Sequence, residues 1–98
     1  MIKDKDREYL KKLGANTKKV RKSLDITQGD LADKTTFHRT YISQIERGVT
    51  NPTLLSLQTL AEGLETSVEV LIEGVFSDNS GLPENENLLV NKRNEAYD

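Results

Sequence analysis

The 98-residue chain contains no Cys, no Trp and a single His, His38. Without Cys there can be no disulfide framework, no thiolate zinc site and no thiol nucleophile. Any Ser-His-Asp machinery would have to pass through His38, and the acidic residues nearest to it in sequence serve helix capping or packing. We therefore expect no enzyme activity, no catalytic residue and no metal site, and we expect neither a cofactor nor a small-molecule ligand. No apolar run approaches the roughly 20 residues needed to span a bilayer. Met1-Ile2-Lys3-Asp4-Lys5-Asp6 also lacks the apolar stretch of a signal peptide. The chain reads as a soluble cytoplasmic protein with no membrane partner.

What is present is charge. Hydrophobic residues make up 35% of the chain and charged residues 31%, which implies one small domain with a compact helical core. The formal net charge of −2 argues at first against a polyanion partner. That average conceals two halves. Residues 1–47 hold 12 Lys/Arg against 7 Asp/Glu, a balance of +5, and residues 48–98 hold 2 against 9, a balance of −7. A polyanion responds to the local field, so the asymmetry matters more than the sum.

Apolar periodicity predicts five helices. From Asp6 to Leu24, Leu10, Leu13, Val20 and Leu24 share one face with Thr17, and Lys11, Lys12, Lys18, Lys19, Arg21 and Lys22 stand between them. Asp25 breaks that run. Thr27 and Asp30 are spaced to cap a second helix reciprocally, with Leu31 and Ala32 inward. That helix ends near Thr35-Thr36. A third runs from about His38 to Arg47 and is closed by Gly48 in the left-handed region. Asn51-Pro52-Thr53 starts a fourth, expected to bury Leu54, Leu57, Leu60, Ala61 and Leu64. Thr66 and Glu69 form a second capping pattern ahead of Val68, Val70, Leu71 and Ile72. A domain over 6–74 is thus followed by a polar extension over 75–98, flexible or packed on a partner subunit.

Gln28 to Arg47 carries the function. Two short helices joined by a tight turn have the geometry of a helix-turn-helix. Ala32 supplies the small residue at their crossing, and Leu31, Phe37, Ile42 and Ile45 supply the inner faces. With Ile42 and Ile45 inward, the opposite face of the third helix shows Thr40, Ser43, Gln44 and Arg47, flanked by Arg39 and Tyr41. Every one of these carries a donor and none is acidic, as a surface entering a phosphate-lined groove requires. An ordinary solvated amphipathic helix is the plainer alternative. The coincidence of crossing residue, inner faces and acid-free surface favours the functional reading.

The segment from Leu13 to Ile72, through TQ-x-x-LA, YIS-x-IERG, NPT-L-x-x-L-x-x-LA and Ser-Val-Glu-Val-Leu-Ile, resembles the λ-repressor/Cro-type helix-turn-helix regulators. Within that family HRTYISQIERG is most similar to the restriction–modification controller proteins. The resemblance implies an all-α, five-helix λ-repressor-like domain that binds a double-stranded DNA operator. Arg39, Thr40, Ser43 and Gln44 would read bases, and Thr27, Gln28, His38, Tyr41, Arg47 and Asn51 would hold phosphates. Arg21 and Glu46 would form an ion pair fastening the first helix to the third.

Some positions depart from the pattern. Thr36 stands where a turn residue with positive φ is usual, which implies strain or a different turn. Asp25 stands where Gly is usual, and Gly63 sits inside a helix at a cost of about 1 kcal/mol. Since one recognition helix makes few contacts, a homodimer on a palindromic operator is expected. Its interface would be drawn from Leu55, Leu64, Val68, Leu71 and Ile72, some of which must close the core, and extended by Val75, Phe76 or Leu88-Leu89-Val90. Acidic residues such as Glu62, Glu65, Glu69 and Glu73 offer a surface to RNA polymerase. An antitoxin or adapter module that binds a protein through the acidic half is the alternative function.

Overall fold

The computed structural model describes residues 2–76, which form five helices and, among those residues, no strand. Helix α1 (Asp4–Ser23) buries a face of Leu13, Gly14, Thr17 and Arg21. Thr17 is accommodated in this apolar surface because its hydroxyl donates to the Leu13 carbonyl at 2.9 Å. The helix stops at Leu24, and Asp25 turns the chain with φ of 58°.

Helix α2 (Gln28–Lys34) starts with a complete capping box. The Asp30 amide donates to Thr27 Oγ1 and the Thr27 amide donates to Asp30 Oδ2, both at 2.9 Å. Helix α3 (Arg39–Arg47) is capped by His38, whose Nδ1 accepts from the Thr40 amide at 3.0 Å. Gly48 closes it at φ of 73°. Helix α4 (Leu54–Gly63) is capped by Thr53, and α5 (Val68–Leu71) by Ser67 rather than by the expected Thr66. The shift of one residue follows from Glu65, which reverses the chain at φ of 57° and leaves Ser67 in the extended conformation a cap needs.

The turn between α2 and α3 does not place Thr36 in the left-handed region: among the described residues the non-Gly positions with positive φ are Asp25 and Glu65. Thr35 makes the turn instead. It is extended, its hydroxyl donates to the Leu31 and Ala32 carbonyls at 3.0 and 3.3 Å, and the same oxygen accepts from the Phe37 amide. A side-chain hydroxyl thus does what a left-handed residue would otherwise do.

Leu13, Leu31, Ile42, Ile45, Leu60, Ala61, Leu64, Leu71 and Val75 form one core. Three sequence assignments change here. Leu64 and Leu71, expected at a subunit contact, are 1% and 0% exposed and close the core of the single chain. Leu54, expected inside, is 71% exposed, because it occupies the first turn of α4, ahead of the face that meets the core. Val75, assigned to the extension, is 7% exposed and belongs to the domain, while Phe76 stacks edge-on against Tyr9 with centroids 4.7 Å apart. Leu88-Leu89-Val90 and the rest of the extension from 77 lie outside the described residues.

Two glycines set helix spacing. A Cβ on Gly14 would lie 2.4 Å from the carbonyl oxygens of Ile45 and Glu46, so α1 and the end of α3 meet backbone to backbone. A Cβ on Gly63 would come within 2.6 Å of Thr35 Cγ2 and 3.1 Å of Leu31 Cδ1. The helix-propensity cost at Gly63 is offset by this close seat for the end of α2.

Candidate nucleic-acid interface

The polar face of α3 is displayed as its periodicity predicts. Ile42 and Ile45 are buried, Arg39, Thr40 and Arg47 are exposed, and Tyr41, Ser43 and Gln44 are partly exposed. Glu46, the helix's carboxylate, is withdrawn from that face. Its Oε2 accepts from Arg21 Nε at 2.6 Å and its Oε1 from Arg21 Nη2 at 3.0 Å, with both side chains nearly buried. Arg21 Nη1 donates further to the Ile26 carbonyl at 2.8 Å. The hydrogen bonds to Glu46 raise the Arg21 pKa above its ordinary value, against the opposing effect of burial. The pair removes the negative charge from α3 and locks α1 to it in one bidentate contact.

Gln28 joins the same network, donating from Nε2 to Glu46 Oε1 at 3.1 Å. One proton of that amide remains for an outside acceptor. Thr27 is occupied by the capping box, which also holds the Asp30 carboxyl below the usual carboxylate range through its hydrogen bonds with Thr27. His38 is both a cap and an exposed group. Because Nδ1 accepts from Thr40, the ring proton sits on Nε2, where it can be donated outward. Tyr41 packs edge-on against Phe37 with centroids 4.9 Å apart, so its ring is held in place on the α3 surface.

Thr27, Gln28 and Arg39 line one open groove of about 730 Å³ together with Lys18, Arg21, Lys22, Asp25, Ile26 and Gly29. Lys18 and Lys22 were not singled out as phosphate ligands from sequence. Their four-residue spacing on the basic face of α1 was the available signal, since it places both on one side of that helix. Among the described residues neither lysine has an ion-pair partner, and nor has Arg39. Asn51 does not line this groove. It borders a separate cavity of about 290 Å³ with Ile2, Asp6, Tyr9, Leu10 and Phe76. Arg47 leans back on its own helix, with Nε 3.4 Å from Ser43 Oγ.

A helix-turn-helix family pattern (HTH_3) matches residues 18–71, more than half of the chain, and spans α2, α3 and every residue that lines the open groove. The chain belongs to the helix-turn-helix family of DNA-binding transcriptional regulators. It is 40% identical over 60 residues to the control protein C.SmaI of Serratia marcescens, covering 61% of this chain and 71% of that one. It is 35% identical over 57 residues to an uncharacterised helix-turn-helix-type transcriptional regulator of Sinorhizobium fredii, covering 58% of this chain and 74% of that one. Among solved structures it is similar to the restriction-modification controller protein C.AhdI from Aeromonas hydrophila. That likeness has a TM-score of 0.62 at 29% identity and covers 63% of this chain and 94% of the other. The helix-turn-helix fold and its similarity to controller proteins thus agree with the sequence resemblance. No helix of the described residues is long and apolar enough to cross a membrane, and no group of acidic or His side chains among them could hold a metal ion.

Proposed function

We propose that the protein binds duplex DNA as a homodimer, reads a palindromic operator through α3, and controls a restriction–modification system. The observation that carries the reading is the acid-free outer face of α3 lying beside a groove lined by Lys18, Lys22 and Arg39. Arg39, at the first turn of α3, is assigned a bidentate contact to guanine, and Thr40, Ser43 and Gln44 the remaining base edges. Lys18, Lys22, the free N–H of Gln28, His38 Nε2, Tyr41 and Arg47 are assigned to flanking phosphates. Asn51 is assigned a phosphate at the other end of α3.

The exposed apolar side chains support pairing of two subunits. Leu55 is 77% exposed on α4, Val70 is also exposed, and Val68 and Ile72 are half-buried on and just after α5. Two copies place two recognition helices on half-sites about 10–10.5 bp apart. The exposed carboxylates Glu62, Glu69 and Glu73 are the surface offered to RNA polymerase. The controller role rests on the similarity to C.SmaI and C.AhdI.

Selection of bound duplexes from a random pool tests the whole reading. A palindrome with the stated spacing is expected, and recovery of no common sequence would sink it. In the same assay Arg39→Ala is expected to lose about 10- to 100-fold of its discrimination between selected and random DNA. The fold survives in that variant because Arg39 is exposed.

A further inference from the structure

We infer that Asp25 sets a ceiling on DNA affinity, acting as a fixed negative charge inside the phosphate-facing groove. The inference rests on the DNA-binding reading above. Asp25 is the one carboxylate among the residues that line the groove, where it faces the same space as Lys18, Lys22 and Arg39. Arg21 adds little free positive charge there, since Glu46 neutralises it.

The fold gives no reason for the carboxylate. At φ of 58° the backbone asks for a residue that enters the left-handed region, and Gly or Asn meets that demand without charge. Asp25 is exposed, and among the described residues its carboxylate has no hydrogen-bond or ion-pair partner. The Asp25 side chain takes no part in closing the helix: its amide donates to the Lys22 carbonyl at 2.9 Å, and the Ser23 hydroxyl donates to the Val20 carbonyl at 2.6 Å. The side chain is thus free of structural duty and sits where a polyanion must approach. Repulsion between unit charges a few ångströms apart at a hydrated surface corresponds to roughly fivefold in affinity. A regulator held below its attainable affinity exchanges on DNA faster, so its occupancy follows its own concentration.

The test titrates the full chain against random-sequence duplex DNA at fixed salt, comparing wild type with Asp25→Asn and Glu65→Asn. Glu65 is the matching control: it is also left-handed and acidic, but it pairs with Lys34 at 3.2 Å, at the far end of α2. Asp25→Asn is expected to bind roughly fivefold more tightly, with Glu65→Asn unchanged. Asp25→Gly is expected to tighten binding equally while raising Tm, because it also relieves the backbone. Unchanged binding by Asp25→Asn, or equal tightening by Glu65→Asn, overturns the inference and leaves the DNA reading standing. Absence of salt-dependent binding by the wild type overturns both.

Discussion

Gly14 is a residue whose missing side chain is its function. An added methyl would meet two carbonyl oxygens of α3 at 2.4 Å, and backbone cannot step aside as a flexible side chain can. Gly14→Ala is therefore expected to destabilise the fold by about 3 kcal/mol despite the better helix propensity of Ala. Urea unfolding monitored by circular dichroism checks it, and a gain in stability would show that the helices can separate freely. Nothing in the sequence marks this position, because a glycine within a helical pattern reads only as a cost. Arg21 and Glu46 were legible only through the family resemblance, since helical periodicity alone sets Arg21 among the basic residues that stand between the apolar positions of α1. Leu55, Leu64 and Leu71 show the limit of such reading. All three were expected at one subunit contact, but whether a leucine closes its own core or is left outside depends on helix crossing angles, and only Leu55 is left outside.

At the scale of elements, capping chemistry was the most readable feature. Thr27 with Asp30, Gly48 and Thr53 all act where their residue types predict, since each satisfies orphan backbone groups with atoms nearby in sequence. Thr35 and Ser67 escaped because their roles depend on how the neighbouring turn is made. The capping box also has a pH signature. Asp30 has its folded pKa lowered by the hydrogen bonds with Thr27, so its contribution is fully present above the ordinary carboxylate range. It is lost as pH falls through the lowered value. Urea midpoints measured downward from about pH 4 are expected to fall less steeply in Asp30→Asn than in wild type. Parallel slopes would mean that the box does not persist in solution.

At the scale of the whole molecule, net charge misleads. In the proposed dimer Lys18, Lys22 and Arg47 of two subunits would present six cations to phosphates, which gives an expected slope of log K against log salt of about −5. A slope near zero would mean that the basic half does not face DNA. The exposed apolar surface of α4 makes a separate prediction. Leu55→Lys is expected to leave the fold intact, since the side chain is 77% exposed, and to shift the protein toward monomer in sedimentation velocity. An unchanged dimer would place the contact elsewhere.

One helix connects these surfaces. Helix α1 meets α3 through Gly14 and the Arg21–Glu46 pair, and its Asn16 Nδ2 donates to the Leu71 and Glu73 carbonyls at the end of α5, both at 2.8 Å. The proposed reading face on α3 and the proposed pairing face near α5 are therefore braced by the same strut. In the proposed two-fold assembly, joined near α5, this bracing would let protein geometry set the distance and angle between the two recognition helices. Such an assembly is a ruler of fixed length and phase. An operator lengthened by one base pair turns one half-site by roughly 35° about the DNA axis, so the DNA, not the protein, must twist to restore the fit.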